Sequence, residues 1–502
     1  MKPIELLYVA NVISRQGGKA RQDLSFRLTV ERRVFEKTVE VHWAGEDGVW
    51  RILPAEWLCS LGPERELWQA HLALFAEGDH DSLPGDIHFA LRYRAGGQDS
   101  WDNNQGANHD INADSGIRLA RTRTLLHVDF QPRLECGSDF LPITVALRPP
   151  GTVRQVYVRW STDRWHTYTD TPCYFKRRHW DGVSASNARN PNRYGNQIWI
   201  SHLGVGGAFR IDYAIACETD KGTIWDDNSG RNYTTRRERL KVLTLNLHCC
   251  QEDNQDAKLS VIAQAIRDLD IDIVCLQEVA EPWNDGLGQW YSNTAHLIRE
   301  RLGRPYHLHH DWSHLGFDRY REGCAILSRH ELLSTDSGYV STSRDPFNIH
   351  ARRVVQARIN VPYVGAVNVF SSHLSWINDG FREQLPRLRQ WANEQHTGEV
   401  AASLLCGDFN VPAGSEGYDM ATRDGNFTDQ YLLAQIRQRY EEGYGPPPGS
   451  HARPDPADGR IDFLFAHRDS RLEPVAARQI FTDTDYGRVS DHTGYLVEFE
   501  PR

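Results

Sequence analysis

The sequence has no run of eighteen or more apolar residues, which excludes an ordinary membrane-spanning helix. It also lacks any CxxC pair or Cys/His spacing of the zinc type. Its nine cysteines are scattered and odd in number, with only Cys249 and Cys250 adjacent. Disulfides and structural zinc are therefore not expected, and reduced, mostly buried thiols fit a cytoplasmic protein. The opening segment MKPIELLYVANVISR has only Lys2 as a basic lead-in, carries Glu5 and offers no small-x-small cleavage site. It reads as a β-strand and not as a secretion signal. A basic excess is missing too: net charge is −10, most of it after Thr235. That balance lowers the expectation of tight, non-specific nucleic-acid binding.

What is present is ordinary in kind, with 40% hydrophobic and 25% charged residues, but 502 residues are too many for one core. The length predicts about three domains. The first 236 residues contain a repeat. An alternating strand, a Gly-containing turn and the run Trp101-Asp-Asn-Asn-Gln-Gly-Ala-Asn108-His109 recur as a strand, a turn and Trp225-Asp-Asp-Asn-Ser-Gly-Arg-Asn232-Tyr233. Upstream, Val39-Glu-Val-His-Trp43 followed by Trp50 matches Val156-Tyr-Val-Arg-Trp160 followed by Trp165. Short period-2 strands between turns predict an all-β, immunoglobulin-like sandwich for each copy, at 1–118 and 119–236. The second copy carries an Asn/Arg/Gly-rich insertion at about 176–196 that reads as a long surface loop. Arg236-Arg237-Glu238-Arg239 reads as a solvated linker.

From Leu240 the pattern changes. Apolar strands at 241–246, 271–276, 324–327, 354–360, 366–370, 404–406, 461–465 and 495–499 interleave with helical periodicity at 259–269, 291–302 and 381–394. A layered α/β domain over 237–502 follows, with its polar residues of interest at strand ends. These are Asn246 in LTLNLH, Glu278 in VCLQEV, His373 in FSSHLSW, Asp408 and Asn410 in LLCGDFNVP, Asp462 in RIDFLF, and Asp491-His492 in SDHTGYL. A single polar residue at a strand end is usually a cap or turn residue. Together they form a set of hard oxygen donors with two imidazoles. Attack of water on a phosphate ester asks for such a set: a cation for non-bridging oxygens, a group to orient water, and a stabiliser for the leaving oxygen.

These clusters, in this order, resemble the endonuclease/exonuclease/phosphatase superfamily, whose fold is a four-layered α/β sandwich of the DNase I type. The resemblance implies that Glu278 is the principal Mg²⁺ ligand, with Asn246 and Asp491 completing the metal environment and Mn²⁺ as a substitute. It implies that Asp408 orients or deprotonates the attacking water and that Asn410 holds a phosphate oxygen. It further implies that His492 stabilises the transition state or leaving group, that Asp462 fixes the tautomer of His492, and that His373 contacts the scissile phosphate.

Other features are weaker. Trp283, Trp290, Trp312 and Trp376 lie near the motifs and read mainly as packing residues. His307, His309, His310 and His314 fit no clean metal spacing and read as a surface loop, and the Pro-rich 444–450 reads as an extended loop.

The W-D-[ND]-N-x-G-x-N-[HY] run resembles family 21 carbohydrate-binding modules, which bind starch and glycogen. The resemblance implies glycan contacts by Trp50, Trp101, Asn104 and Asn108 in the first copy, and by Trp165, Trp225, Asn228, Asn232 and Tyr233 in the second. Indole faces stack on glucose rings, and side-chain amides bridge hydroxyls. His109 in place of Tyr, and Asp227 opposite Asn103, depart from the pattern. The alternative is that the tryptophans are core anchors and the asparagines hold a turn. Joined, the halves predict a phosphoesterase tethered to an α-glucan. The rivals are a DNA or RNA nuclease, a sphingomyelinase-type lipid phosphodiesterase suggested by the glycine of SDHTG, and an inactive glycan-binding scaffold.

Overall fold

The computed structural model describes residues 2–16, 19–32, 36–62, 64–76, 82–176, 193–284, 286–423, 425–441, 454 and 459–502. Most of the expected insertion at 176–196 and all of 444–450 lie outside the described residues. The chain forms two compact units, Met1–Glu238 and Arg239–Arg502.

The first unit is built of β-sheets. One sheet orders the strands Gly116–Leu119, Ile4–Gln16, Lys19–Glu31, Arg65–Ala76 and Glu56–Ser60, so the N-terminal segment is a strand, as expected. A second sheet orders Arg51–Pro54, Lys37–Ala44, Ile87–Ala95 and Gln98–Asp102, with His109–Ile111 pairing Ile87–Ala95. Phe26 and Leu28 of the first and Val41, Phe89 and Leu91 of the second share one core. The pattern repeats from Leu125–Val128 to Tyr233–Arg236 in two further sheets around Val145, Val158, Ile198 and Ile215. Leu7, Tyr8, Cys59 and Leu67 also enter that core.

The second unit contains two six-stranded sheets. One orders His307–Gly316, Tyr320–Ser328, Ile273–Pro282, Leu240–Asn246, Gly494–Pro501 and Leu472–Ile480. The other orders Leu332–Tyr339, Arg353–Val361, Gly365–His373, Val400–Asp408, Asp462–His467 and Phe427–Asp429. Period-2 geometry explains their double-sided burial. Val242, Ile273, Val355 and Leu404 point into one shared core, whereas Leu243 and Leu245 face helix Gln255–Asp268 through Leu259 and Ile262. On the far sheet Phe370, Leu405 and Phe463 pack against Leu385 and Leu388 of helix Arg382–Gln395.

Two expectations are corrected. Arg236–Arg239 is not solvated linker. Arg237 is buried and donates to the carbonyls of Ala208, Glu135, Ser138 and Gly206, while Arg239 pairs with Glu498 and Glu500. The histidine-rich segment is a strand, His307–Gly316, with His314 buried. Charge and imidazole content concealed an edge strand. All nine cysteines are free; Cys136 is exposed, Cys250 half-buried and the rest buried. Among the described residues, no helix is long and apolar enough to cross a membrane.

Candidate active site

The polar clusters gather because their strands end on one side of the paired sheets. In the second sheet His373 is opposite Asp408, and Asp408 opposite Asp462, across three neighbouring strands. In the first sheet Asn246 ends its strand beside Gln277. A break of register between Leu276 and Val279 marks a bulge there, and Glu278 sits in it at φ 49°. A bulge re-aims one side chain, here into hydrogen-bond reach of Asn246. Gly407 has φ 142°, and a Cβ there would overlap the Ser372 carbonyl, so the glycine before Asp408 is required by close strand approach. Asn410 has φ 51°, and its N–H donates to Asp408 Oδ1 at 2.8 Å, an Asx turn that fixes the carboxylate.

Asn246 joins the two sheets. Its Nδ2 donates to Glu278 Oε1 at 2.8 Å and to Asp408 Oδ2 at 3.1 Å, and its Oδ1 accepts from the His248 N–H at 2.9 Å. His492 Nδ1 lies 2.8 Å from Asp462 Oδ2, and its Nε2 lies 3.7 Å from Asp408 Oδ2. His373 Nε2 is 3.2 Å from Asn410 Nδ2 and 3.7 Å from Asp408 Oδ2. Asn246, Asp408, Asp462 and His373 are buried, while Glu278, Asn410 and His492 are half-buried and Asp491 is exposed. The site therefore has a dry floor and an open rim. Asp491 approaches the site from the rim, with Oδ1 3.6 Å from His248 Nδ1.

Burial dominates the electrostatics. It pushes Glu278 up to about 7, helped by the charge of Glu322 and opposed by the Asn246 hydrogen bond. It likewise pushes Asp408 up to about 7, helped by Asp462 and opposed by His492. His492 moves the other way: burial lowers it, but the hydrogen bond and charge of Asp462, with Asp408 and Asp491, lift it to about 9. His373 is held well below its ordinary value by burial and then by Arg352, so it is a neutral ring. Burial thus leaves Glu278 and Asp408 short of compensating charge even beside His492, and Asp462 Oδ1 is buried with no hydrogen-bond partner among the described residues. Hard oxygen donors in that state fit a divalent cation. Two groups of side chains have ligand atoms within 4.8 Å of one another, Asp408–Asp462–His492 and His248–Glu252–Asp491.

Four further residues at this site are not among the expected site residues. Glu322 is buried, with His314 Nε2 at 3.4 Å and His373 Nδ1 at 3.9 Å. Arg352 approaches the same carboxylate. His248 and Glu252 are joined at 2.7 Å. Arg352 stands one residue before its strand, and Glu322 breaks into an apolar strand, so neither had a cue. Of the four tryptophans, Trp283 lies under Arg321, Trp290 and Trp312 flank His310, and Trp376 is exposed.

In the front unit the repeated motif forms the same turn twice. Asn103 and Asp227 each accept from a glycine N–H, of Gly106 and Gly230, so that departure leaves the turn intact. Asn104 Nδ2 donates to Asn108 O at 2.9 Å and Asn228 Nδ2 to Asn232 O at 3.1 Å, with all four asparagines at positive φ. The asparagines hold the turn. The tryptophans are not core anchors: Trp50, Trp101 and Trp225 are 50%, 47% and 41% exposed, and Trp165 is half-buried. Arg92 lies over Trp101 and Arg159 over Trp225. Tyr233 is the exception among the expected glycan contacts. It is buried against Tyr213 and Phe130 with its hydroxyl donating to Asp226 at 2.9 Å, so it supports the turn from inside.

Carboxylates and imidazoles gathered at the strand ends of two sheets are the groups that hydrolysis of a phosphoester uses. The model of the endonuclease/exonuclease/phosphatase family matches residues 243–492. An uncharacterised Escherichia coli K12 protein, YbhP, is 31% identical over 186 residues, 35% of this chain and 68% of that protein. The chain belongs to the endonuclease/exonuclease/phosphatase family, and its second unit has that family's DNase I-like fold. The model of the carbohydrate/starch-binding module, family 21, matches residues 151–236. Among solved structures, a family protein from Leptotrichia buccalis is 25% identical, with a TM-score of 0.43 over 52% of this chain and 99% of that one. The human Nocturnin catalytic domain is 18% identical, with a TM-score of 0.39 over 53% and 95%. A mannosyl-6-phosphatase from Bacteroides thetaiotaomicron is 18% identical, with a TM-score of 0.37 over 52% and 99%.

Proposed function

We propose that the second unit is a Mg²⁺-dependent phosphoesterase, with Mn²⁺ as a substitute, tethered to an α-glucan such as glycogen or starch by the front unit. The observation that carries the reading is Asn246, whose amide spans Glu278 and Asp408 from opposite sheets. It gathers groups spread across the chain into one cleft. Glu278, with Asn246 and Asp491, would hold the cation, which supplies charge neutralisation for the non-bridging phosphate oxygens.

The remaining work falls to the protein. Asp408, fixed by the Asn410 N–H, orients the attacking water and draws its proton. Protonated His492, locked at Nδ1 by Asp462, turns its Nε2–H toward the charge that develops on the phosphate or leaving oxygen. Asn410 holds a phosphate oxygen. His373, buried behind it, acts through that amide, in place of the direct contact expected from the resemblance.

Two modules over 1–118 and 119–236, immunoglobulin-like in form, present Trp50 and Trp101, and Trp165 and Trp225, as stacking faces, with Asn104, Asn108, Asn228 and Asn232 shaping the turns beside them. A four-layered arrangement of 237–502 is supported by its three apolar cores. Tethering would raise the local concentration of enzyme at a polymer-borne ester. Gly494, the glycine of SDHTG, has a packing reason of its own, since a Cβ would press on Phe481 and Ile480. The test is a metal-dependent screen of the full chain against phosphoglucan, plasmid DNA, RNA, inositol phosphates and sphingomyelin, with glycogen co-sedimentation beside it. Phosphate release from phosphoglucan is expected; robust plasmid nicking lost in Glu278→Ala would favour a nuclease instead.

A further inference from the structure

Arg352 is buried, and its guanidinium is almost without partners. The side chain is 5% exposed, and the nearest carboxylate, Glu322 Oε1, stands 3.9 Å from Nη1. Nε lies 3.5 Å from Ser375 Oγ, the outer limit of a hydrogen bond. Neither Nη atom makes a hydrogen bond to a described residue. Arg460, equally buried, shows the contrast: its Nη2 meets Asp429 Oδ2 at 2.6 Å and its Nη1 donates to the Asp462 carbonyl. A guanidinium keeps its charge and five N–H donors wherever it is placed. Folding alone does not favour burying one with its donors uncommitted.

Its neighbours supply the reason: Arg352 Nη1 and His373 Nδ1 both stand 3.9 Å from the same oxygen, Glu322 Oε1, which puts the guanidinium beside the site. The Arg352 N–H is pinned to Ser341 Oγ at 2.8 Å, one residue before strand Arg353–Val361. Its charge acts on Asp408 and Glu278 as well as on Glu322, and after burial it is the main influence keeping the proton off His373. Glu322 is engaged on another side by His314 Nε2 at 3.4 Å. The carboxylate therefore stays short of closing on the guanidinium.

We propose that Arg352 is a phosphate-binding residue of this site, its two Nη groups receiving non-bridging oxygens of the substrate. A planar fork matches two oxygens of a phosphate. The assignment rests on the phosphoesterase reading for its biological meaning, but not for its test.

Inorganic phosphate is titrated by calorimetry into the full chain in EDTA, where no hydrolysis occurs. Wild type is expected to bind. Arg352→Met should lose at least tenfold in affinity, Arg352→Lys should retain part, and Glu322→Gln should bind within a few-fold of wild type. Should Arg352→Met fail to fold because Glu322 is stranded, Arg352→Met/Glu322→Gln removes both charges and decides by the same criterion. With Mg²⁺ and a hydrolysed ester, kcat/KM of Arg352→Met should fall about 10²–10³-fold. No binding by wild type, or binding by the folded Met variant within twofold of wild type, overturns the assignment. If Arg352-dependent phosphate binding is found but no ester is hydrolysed, the phosphoesterase reading fails and the role of Arg352 stands.

Discussion

His492 Nδ1 lies 2.8 Å from Asp462 Oδ2, so the ring holds a proton on that nitrogen and presents Nε2 to Asp408. Asp462→Asn should reverse the tautomer, because an amide can donate to Nδ1. Activity should fall about 10²–10⁴-fold with little change in KM, and the His492 ring should titrate well below about 9 by NMR.

The same groups set a pH dependence for the metal-free protein. His492 is raised, so its stabilising contribution is complete below its unfolded value near 6.5 and is lost as pH rises through about 9. Glu278 and Asp408 are carboxyls raised to about 7, so the folded state binds their protons more tightly than the unfolded chain. Their ionisation removes stability as pH rises from the ordinary carboxylate range to about 7. Melting in EDTA should therefore fall from pH 5 to pH 9, and millimolar Mg²⁺ should restore it above pH 7.

Glu278→Gln separates function from stability. Removing a charge crowded by burial and Glu322 should raise the melting temperature in EDTA at pH 8, while Mg²⁺-dependent hydrolysis falls by about 10³-fold or more.

In the front unit, Trp101→Ala and Trp225→Ala should each weaken glycogen co-sedimentation by about 1–2 kcal/mol, or ~5–30-fold, and leave melting nearly unchanged. Tyr233→Phe should do the opposite. It removes the hydroxyl donor from buried Asp226, which keeps only backbone donors such as the His127 N–H, at a stability cost of about 1–3 kcal/mol, with binding intact.

Much of the candidate site was legible because polar side chains at strand ends follow recognisable apolar runs, as Asp408 follows Leu404–Leu405–Cys406. The strands themselves were legible where both faces are apolar. His307–Gly316 was not, because an edge strand rich in imidazoles lacks that pattern. Tyr233 was misjudged because a motif records which residue is present, and not which way its side chain turns. Glu322 and Arg352 escaped notice because their meaning is three-dimensional: each is an ordinary charge in the sequence and an unusual one only when buried beside His373.

The central claim is that these side chains form a cation-dependent hydrolytic site. The direct measurement is phosphate release by the full chain, over a Mg²⁺ titration with EDTA as the zero point, beside Glu278→Ala. Hydrolysis that saturates with Mg²⁺, vanishes in EDTA and is lost in the variant is the predicted result. Hydrolysis indifferent to EDTA, or undiminished in Glu278→Ala, would contradict it.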